Sequence, residues 1–499
     1  MKEPFLTYVD NPLVEENVYR TMPPDFTSPP TFEEARHLLP QPFWLDHESA
    51  IDCYWKSWEI GFSKLLAPTP ENGFVSAYLD TAFNGHLFMW DSAFAMQFGM
   101  YGSRAFNFQG TLDNLYCKQH PDGFICREID EADGKDSFTC FDPSSTGPNV
   151  LPWAEWAYFV RFGDRTRLAQ VFPALLAYTQ WFRTYRTWLD GTYWTSGWGS
   201  GMDNLPRMES GYHPAFSHGR MRWIDTTLQA ILAVDVLSKM AHVLGRDHSI
   251  NGLRQEAEDL KKVVNETMWD EQTAFYYDRY SNGKLNMVKH IGSYWALLAG
   301  VVPPEWMDRF VAHLDDPDEF NRPHRVPSLA YSHPDYQPGG GYWLGSIWAP
   351  TNYMVLKGLR ANRLGSLAHL IAMNHLDNVV KVFEDTGTLW ENYAPESANP
   401  GEPARPDFVG WSGLPGIAVL LEEVFGLQPD VPNHTLVWDV RLLDEHGVDC
   451  YPFGPKGVVD LKCYARESAL EKPMIEIRST VPIKLKIHWA GGEGEAEIK

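Results

Sequence analysis

The chain has 499 residues, enough to bury one large domain and a smaller one. A formal net charge of −23 sets it against phosphate backbones and anionic lipid, so nucleic acid and membrane surfaces are excluded as expected partners. Aromatic residues reach 14% with 20 tryptophans, a composition that serves either packing between long helices or a cleft that stacks sugar faces on indole rings.

The opening "MKEPFLTYVDNPLVEENVYR" has no apolar core of a secretion signal, and no run of about 18 apolar residues predicts a membrane helix, so a cytoplasmic protein is expected. Residues 1–45 are proline-rich ("TMPPDFTSPPTFEEARHLLPQPFW") and read as an extended arm lying on the main body. Residues 46–430 are helical in pattern. "HESAIDCYWKSWEIGFSKLL" places Ile51, Tyr54, Trp58 and Phe62 on one helical face. "RWIDTTLQAILAVDVLSKMAHVLG" does the same with Ile224, Leu228, Ile231, Leu232 and Val236, and stops at Gly245. Further helices are predicted over 91–115, 151–162, 168–188, 250–268, 293–298, 305–314, 344–359, 363–382 and 412–425. From 431 to 499 the period changes to two. Leu436, Trp438, Val440 and Leu442 alternate, as do Val459, Leu461 and Cys463, and Ile483, Leu485, Ile487 and Trp489. About a dozen helices followed by such strands predict a mainly α fold: an (α/α)6 toroid with a small C-terminal antiparallel β domain. The six cysteines form no CxxC pair. Cys126 and Cys140 lie near enough in sequence to bond, but free thiols are expected in a reducing compartment.

Toroid loops converge at one mouth, and four stretches have the composition of mouth loops: "NGHLFMWDSAF" (84–94), "WTSGWGSGMDNLPR" (194–207), "GGGYWLGSIWAPTNY" (339–353) and "TGTLWENYAPE" (386–396), with "VGWSG" (409–413) as a fifth. Each joins glycines, which let backbone approach a ligand, to tryptophans and a few polar groups. Two isolated carboxylates, Asp203 and Glu391, stand out as a pair for acid/base work. Taken singly, each has a plainer reading. Asp203 fits a turn, Glu391 a solvated or arginine-paired glutamate, and Asp91 a helix cap. The Gly339–Gly341 run lacks the strand and the Lys-Ser/Thr of a phosphate loop. His86 and His120 have no partners at ligand spacing, so neither a catalytic metal nor another cofactor is expected.

"WDSAF", "SGMDNLPR", "YWLGSIWAPTNY" and "WENYAPE", in that order over residues 80–425, resemble glycoside hydrolase family 63, in its mannosylglycerate-hydrolase-like branch. The resemblance implies the (α/α)6 fold and an enzyme that inverts anomeric configuration. It implies Asp203 as general acid and Glu391 as general base, with Trp90 and Asp91 on sugar hydroxyls and Tyr342, Trp343 and Trp348 along the pocket wall. The same loops supply Trp198, Asn204, Arg207, Tyr393 and Trp411 as further candidates for substrate contact. Leu344 stands where the family pattern has arginine, Ala394 follows the tyrosine where asparagine or aspartate is common, and "SANPGEPARPDF" lacks the usual Thr-Gly ending. These departures bear on pocket polarity, hence on substrate more than on mechanism.

An acid needs its proton near neutral pH, and Trp198, Met202 and Leu205 around Asp203 would desolvate it, with Asn204 and Arg207 opposing. The partner expected is a small carbohydrate, cleaved by exo-action at a glycosidic, α-linked bond. Two rivals remain at this point. A polysaccharide lyase or sugar epimerase on the same toroid would draw on Tyr212, His213 and Arg220. A carbohydrate-binding protein without catalysis would need neither carboxylate.

Overall fold

The computed structural model describes residues 9–81 and 84–499. Helix α1 (Glu48–Ser63) buries Tyr54, Trp58 and Phe62 of its predicted face, with Ile51 partly buried beside them. The single helix expected over 91–115 is two, α2 (Met89–Gly99) and α3 (Gly110–Cys117). Its break follows from close packing: a Cβ on Gly102 would come within 2.8 Å of the Phe108 ring and 3.0 Å of Trp58. There follow α4 (Leu151–Phe162), α5 (Arg165–Tyr185), α6 (Ile224–Leu244), α7 (Asn251–Thr267), α8 (Trp295–Leu298) and α9 (Pro304–Ala312). The last three are α10 (Ala349–Ala361), α11 (Gly365–Thr386) and α12 (Leu414–Val424), the last wound as a π-helix. Helix α10 starts five residues later than its pattern predicts, because Gly345 (φ 141°) cannot continue a helix and Pro350 fits its first turn.

The helices differ sharply in burial. Every residue of α2 and of α12 is buried, whereas α7 buries only Ala257, Leu260 and Val264 along one stripe. Helix α6 is long and apolar enough, by composition alone, to cross a bilayer, which a search for unbroken apolar runs does not flag. Its apolar surface is spent on α4, α5, α7 and α8. Helix α2 packs on α4, α4 on α6, α6 on α8, α8 on α10, α10 on α12, and α12 on α2. Helices α1, α3, α5, α7 and α11 each pack against one or more of these.

The period-two segments form two four-stranded sheets. One runs β1 (Gln41–Trp44), β4 (His446–Phe453), β5 (Gly457–Cys463), β6 (Ile475–Ser479). The other runs β2 (Leu427–Asp430), β3 (Thr435–Asp439), β7 (Ile483–Trp489), β8 (Gly492–Ile498). Two expectations change. The strands are not all antiparallel, since β3 and β7 pair in parallel, and a strand from the proline-rich arm, β1, completes the first sheet against β4.

Candidate active site

Loops at the N-terminal ends of α2 and α10, with those preceding α6 and α12, wall a cavity of about 910 Å³. Asp203 and Glu391, 188 positions apart in sequence, both line it, together with Trp90, Asp91, Trp198, Asn204, Tyr342, Trp343, Trp348 and Trp411. A short helix, Gly197–Ser200, carries Trp198 and ends at Gly201 in a left-handed turn (φ 75°). The left-handed backbone is what favours glycine there, and the Asp203-bearing loop lies on the Trp90 indole, 3.4 Å from where a Cβ would sit. The opposite wall is indole on indole. Trp343 and Trp348 stack in parallel at 4.2 Å, Trp411 meets Trp348 edge-on at 5.5 Å, and Trp348 caps α10 rather than lying within it.

Glu391 is held from three directions. Its amide donates to the Arg405 carbonyl at 2.9 Å, its carbonyl accepts from Trp411 Nε1 at 2.7 Å, and its Oε1 accepts from the Tyr342 hydroxyl at 3.3 Å. Burial pushes its carboxyl up, opposed by the Arg405 charge and by the Tyr342 hydrogen bond. Burial lifts Asp203 to about 7, with the Arg127 charge pulling down and Glu391 and Glu128 pushing up. Asp91, in the first turn of α2, is carried to about 8, chiefly by burial, with the charges of Glu391 and Asp203 adding. These three carboxyls share one cavity, and they cannot all be ionised cheaply. The Tyr342 phenol, raised by burial and by these same carboxylates, keeps its proton and serves as a donor.

Two predicted contacts do not reach the cavity. Arg207 is 1% exposed and turned away, with ion pairs to Asp225 at 2.8 Å and Asp278 at 2.6 Å and its guanidinium 4.1 Å from the Trp223 ring. It anchors the Asp203-bearing loop from behind, at the start of α6. Tyr393 is 1% exposed, and its hydroxyl accepts from the Trp390 amide at 3.3 Å, bracing the turn that presents Glu391. Of "WENY" only Glu391 lines the cavity; Asn392 and Tyr393 are buried, and Trp390 is half-buried with its Nε1 donating to Thr386 Oγ1 at 3.1 Å. Tyr212, His213 and Arg220, the set on which a lyase reading rests, are likewise outside the lining.

Sequence reasoning missed Arg127, Glu128, Phe88, Gln337, Glu402, Arg405 and Phe408, all of which line the cavity. Arg127 comes in beside a short ladder that pairs His86–Phe88 with Glu128–Asp130, and it lies 4.8 Å from the Phe138 ring and 5.7 Å from Trp198. It, not Arg207, is the cation that opposes the shift of Asp203. The "SANPGEPARPDF" departure supplies Glu402 and Arg405. That stretch is a visible signal in the sequence, and what it marks is a different wall rather than a missing one.

Residues 85–412 match the model of the mannosylglycerate hydrolase MGH1-like glycoside hydrolase domain. A probable mannosyl-oligosaccharide glucosidase of Schizosaccharomyces pombe is 23% identical over 280 residues, which is 50% of this chain and 34% of that protein. The GH63 mannosylglycerate hydrolase from Thermus thermophilus, solved in complex with glucose, superposes with a TM-score of 0.59 at 19% identity, over 74% of this chain and 99% of that one. The GH78 rhamnosidase of a Bacillus species gives 0.64 at 15% identity, over 90% of this chain and 42% of that one. With its match extending over most of the helical body and through every wall of the cavity, the chain belongs to the mannosylglycerate hydrolase MGH1-like glycoside hydrolases of family 63.

Proposed function

We propose that this glycoside hydrolase cleaves an α-linked glycosidic bond of a small glycoside or oligosaccharide by exo-action with inversion, Asp203 acting as general acid and Glu391 as general base. One observation carries the reading. Two carboxyls from distant loops line one indole-walled cavity in unlike surroundings, Asp203 lifted to about 7 and Glu391 accepting the Tyr342 hydrogen bond beside Arg405. The first holds a proton for the leaving oxygen near neutral pH, and the second, though raised by burial, has the Arg405 charge and the Tyr342 hydroxyl to favour the anion that strips a proton from water. Inversion requires that water between the two groups, at a carboxyl separation of roughly 6.5–9.5 Å. The glucose complex of the Thermus thermophilus relative supports a hexose beside the acid.

In the same reading the body is an (α/α)6 toroid. Helices α2, α4, α6, α8, α10 and α12 form its inner circle, in keeping with the order of their contacts and the complete burial of α2 and α12. Such a ring carries successive loop ends to one mouth, which is how residues so far apart in sequence meet.

The test is a screen of natural and aryl α-glycosides followed by proton NMR of the first-formed sugar. Inverted product is expected, with turnover falling at least ~10³-fold in both Asp203→Asn and Glu391→Gln, in line with removal of an acid or base group. A retained anomer, or both variants keeping more than a few per cent of activity, overturns the assignment.

A further inference from the structure

Asn204, next to the acid, spends its side chain on the loop opposite. Its Nδ2 donates to the Gly341 carbonyl at 2.9 Å, and its Oδ1 accepts from the Trp343 amide at 2.8 Å. One amide thus grips the backbone on both sides of Tyr342. Between the two grips, Tyr342 adopts φ 67°, a left-handed conformation that an aromatic residue rarely enters unforced. Its carbonyl accepts a third bond, from Trp348 Nε1 at 3.2 Å, and its ring meets Trp348 edge-on at 4.9 Å. The outcome is the placement of the Tyr342 hydroxyl 3.3 Å from Glu391 Oε1. Both ends of the amide are thus engaged by backbone, which fixes its orientation and leaves one N–H and one oxygen lone pair.

We propose that Asn204 is a positioning residue, whose amide clamps residues 341–343 so that Tyr342 presents its hydroxyl to Glu391, locking the acid-bearing and base-bearing loops into one unit. This rests on the reading of Glu391 as the base. The chemistry is simple. A neutral phenol donating to a carboxylate stabilises the anion and fixes which oxygen is free to face water. The charged groups acting on Glu391 and its neighbours are Arg405 on one side and Asp203 and Asp91 across the cavity, with Arg127 beyond them. Releasing the clamp leaves all of these in place and removes only the phenol's contribution, so its effect is separable from theirs.

Two measurements on the whole chain test it. In the first, pH profiles of kcat/KM are recorded for Asn204→Ala, Tyr342→Phe and the double variant. The acidic limb is expected to move up by about 0.5–1 unit in each single variant. kcat should fall ~10–100-fold with KM little changed, and the double variant should lose no more than the worse single one. A rise in KM with an unmoved limb, or losses that multiply in the double variant, makes Asn204 a substrate contact or a structural residue and ends the proposal. In the second, hydrogen exchange is followed across residues 339–345, where the Trp343 amide loses its acceptor in the alanine variant. Protection there is expected to drop at least ~10-fold; unchanged protection overturns the clamp whatever residue is the base. Should Asn204→Ala fail to fold, Asn204→Ser carries the same two measurements. If Glu391→Gln stays active while the exchange result is as expected, the assignment of the base has failed and the clamp has not.

Discussion

A buried carboxyl that keeps its proton makes the folded state less stable at high pH. Asp203 goes from an ordinary value of 3.8 to about 7 on folding, so between those values the folded chain binds more protons than the unfolded one, and stability falls as pH rises through the window. Asparagine removes the titration. Asp203→Asn is therefore expected to match the parent near pH 4 and to exceed it at pH 8, by at most ~4 kcal/mol at 1.36 kcal/mol per unit. For a chain of 499 residues that is a rise in Tm of about 2–4 °C. Calorimetry at the two pH values checks it, and an unchanged Tm at pH 8 would show that the carboxyl ionises without hindrance. At this scale the paired carboxylates were legible, because each sits in a motif of aromatic and turn residues. The arginines were not. Arg207 ends the motif, yet its side chain leaves for Asp225 and Asp278, while Arg127 arrives from a loop distant in the chain from Asp203, and Arg405 returns to Glu391 from further along the same connection. Chain neighbours and spatial neighbours coincide only where an element continues, and these loops do not.

Helix α12 illustrates what an element's sequence conceals. "LPGIAVLLEEV" reads as an ordinary apolar helix, and two adjacent glutamates at its end suggest a solvent face, but Glu422 and Glu423 are fully buried. Glu422 accepts from the hydroxyls of Tyr101 and Tyr353 at 2.8 Å each, from Arg161 at 2.6 Å and from Lys357 at 2.9 Å, so donors converge on it from several other segments. Burial opposes its charge, and Lys357 and Arg161 overcome that opposition, holding the carboxyl at about 2. A value below the ordinary 4.5 means stability that is complete above that pH and is lost as pH falls toward 2. Glu422→Gln leaves the buried Arg161 without its anion and takes one of two carboxylates from the half-buried Lys357, and is expected to cost ~3–5 kcal/mol at pH 7. The cost should shrink to about a third of that at pH 3. Urea denaturation at both pH values reads it. An equal loss at both would assign the effect to packing instead of charge. Helix positions and the strand alternation were legible here, as was Gly245 closing α6, because periodicity registers burial directly. The break after α2 and the late start of α10 were not, since each depends on what a glycine or proline meets in space.

At the scale of the molecule, the sheets are tied to the helical body by charge and by two indoles. Arg360, near the end of α10, bonds Glu423 at 2.7 Å and Asp439 of β3 at 3.2 Å, and Arg441 bonds Asp439 again at 2.9 Å. Trp438 Nε1 donates to the Phe425 carbonyl at 2.9 Å, and Trp44 of β1 packs edge-on against the Phe425 ring at 5.9 Å. The strand from the arm therefore closes a sheet whose other members lie some four hundred residues on, a pairing that no local pattern announces. We propose that the body and the sheets unfold as one cooperative unit because this seam is continuous from α10 through α12 to β3 and β1. Arg360→Ala leaves the Glu423 carboxylate, already raised by burial, with Lys357 alone at 3.7 Å, and removes the Arg360 tie between Asp439 and the body. The expected cost is ~3 kcal/mol, or about 3 °C in Tm. The form of the transition is the sharper readout: one calorimetric peak for the parent, and for the variant an earlier, smaller peak from the sheets ahead of the body. A variant that keeps a single peak, displaced but whole, would place the coupling in the apolar contacts of Trp438 and Trp44, and the substitution of those two tryptophans would then have to divide it.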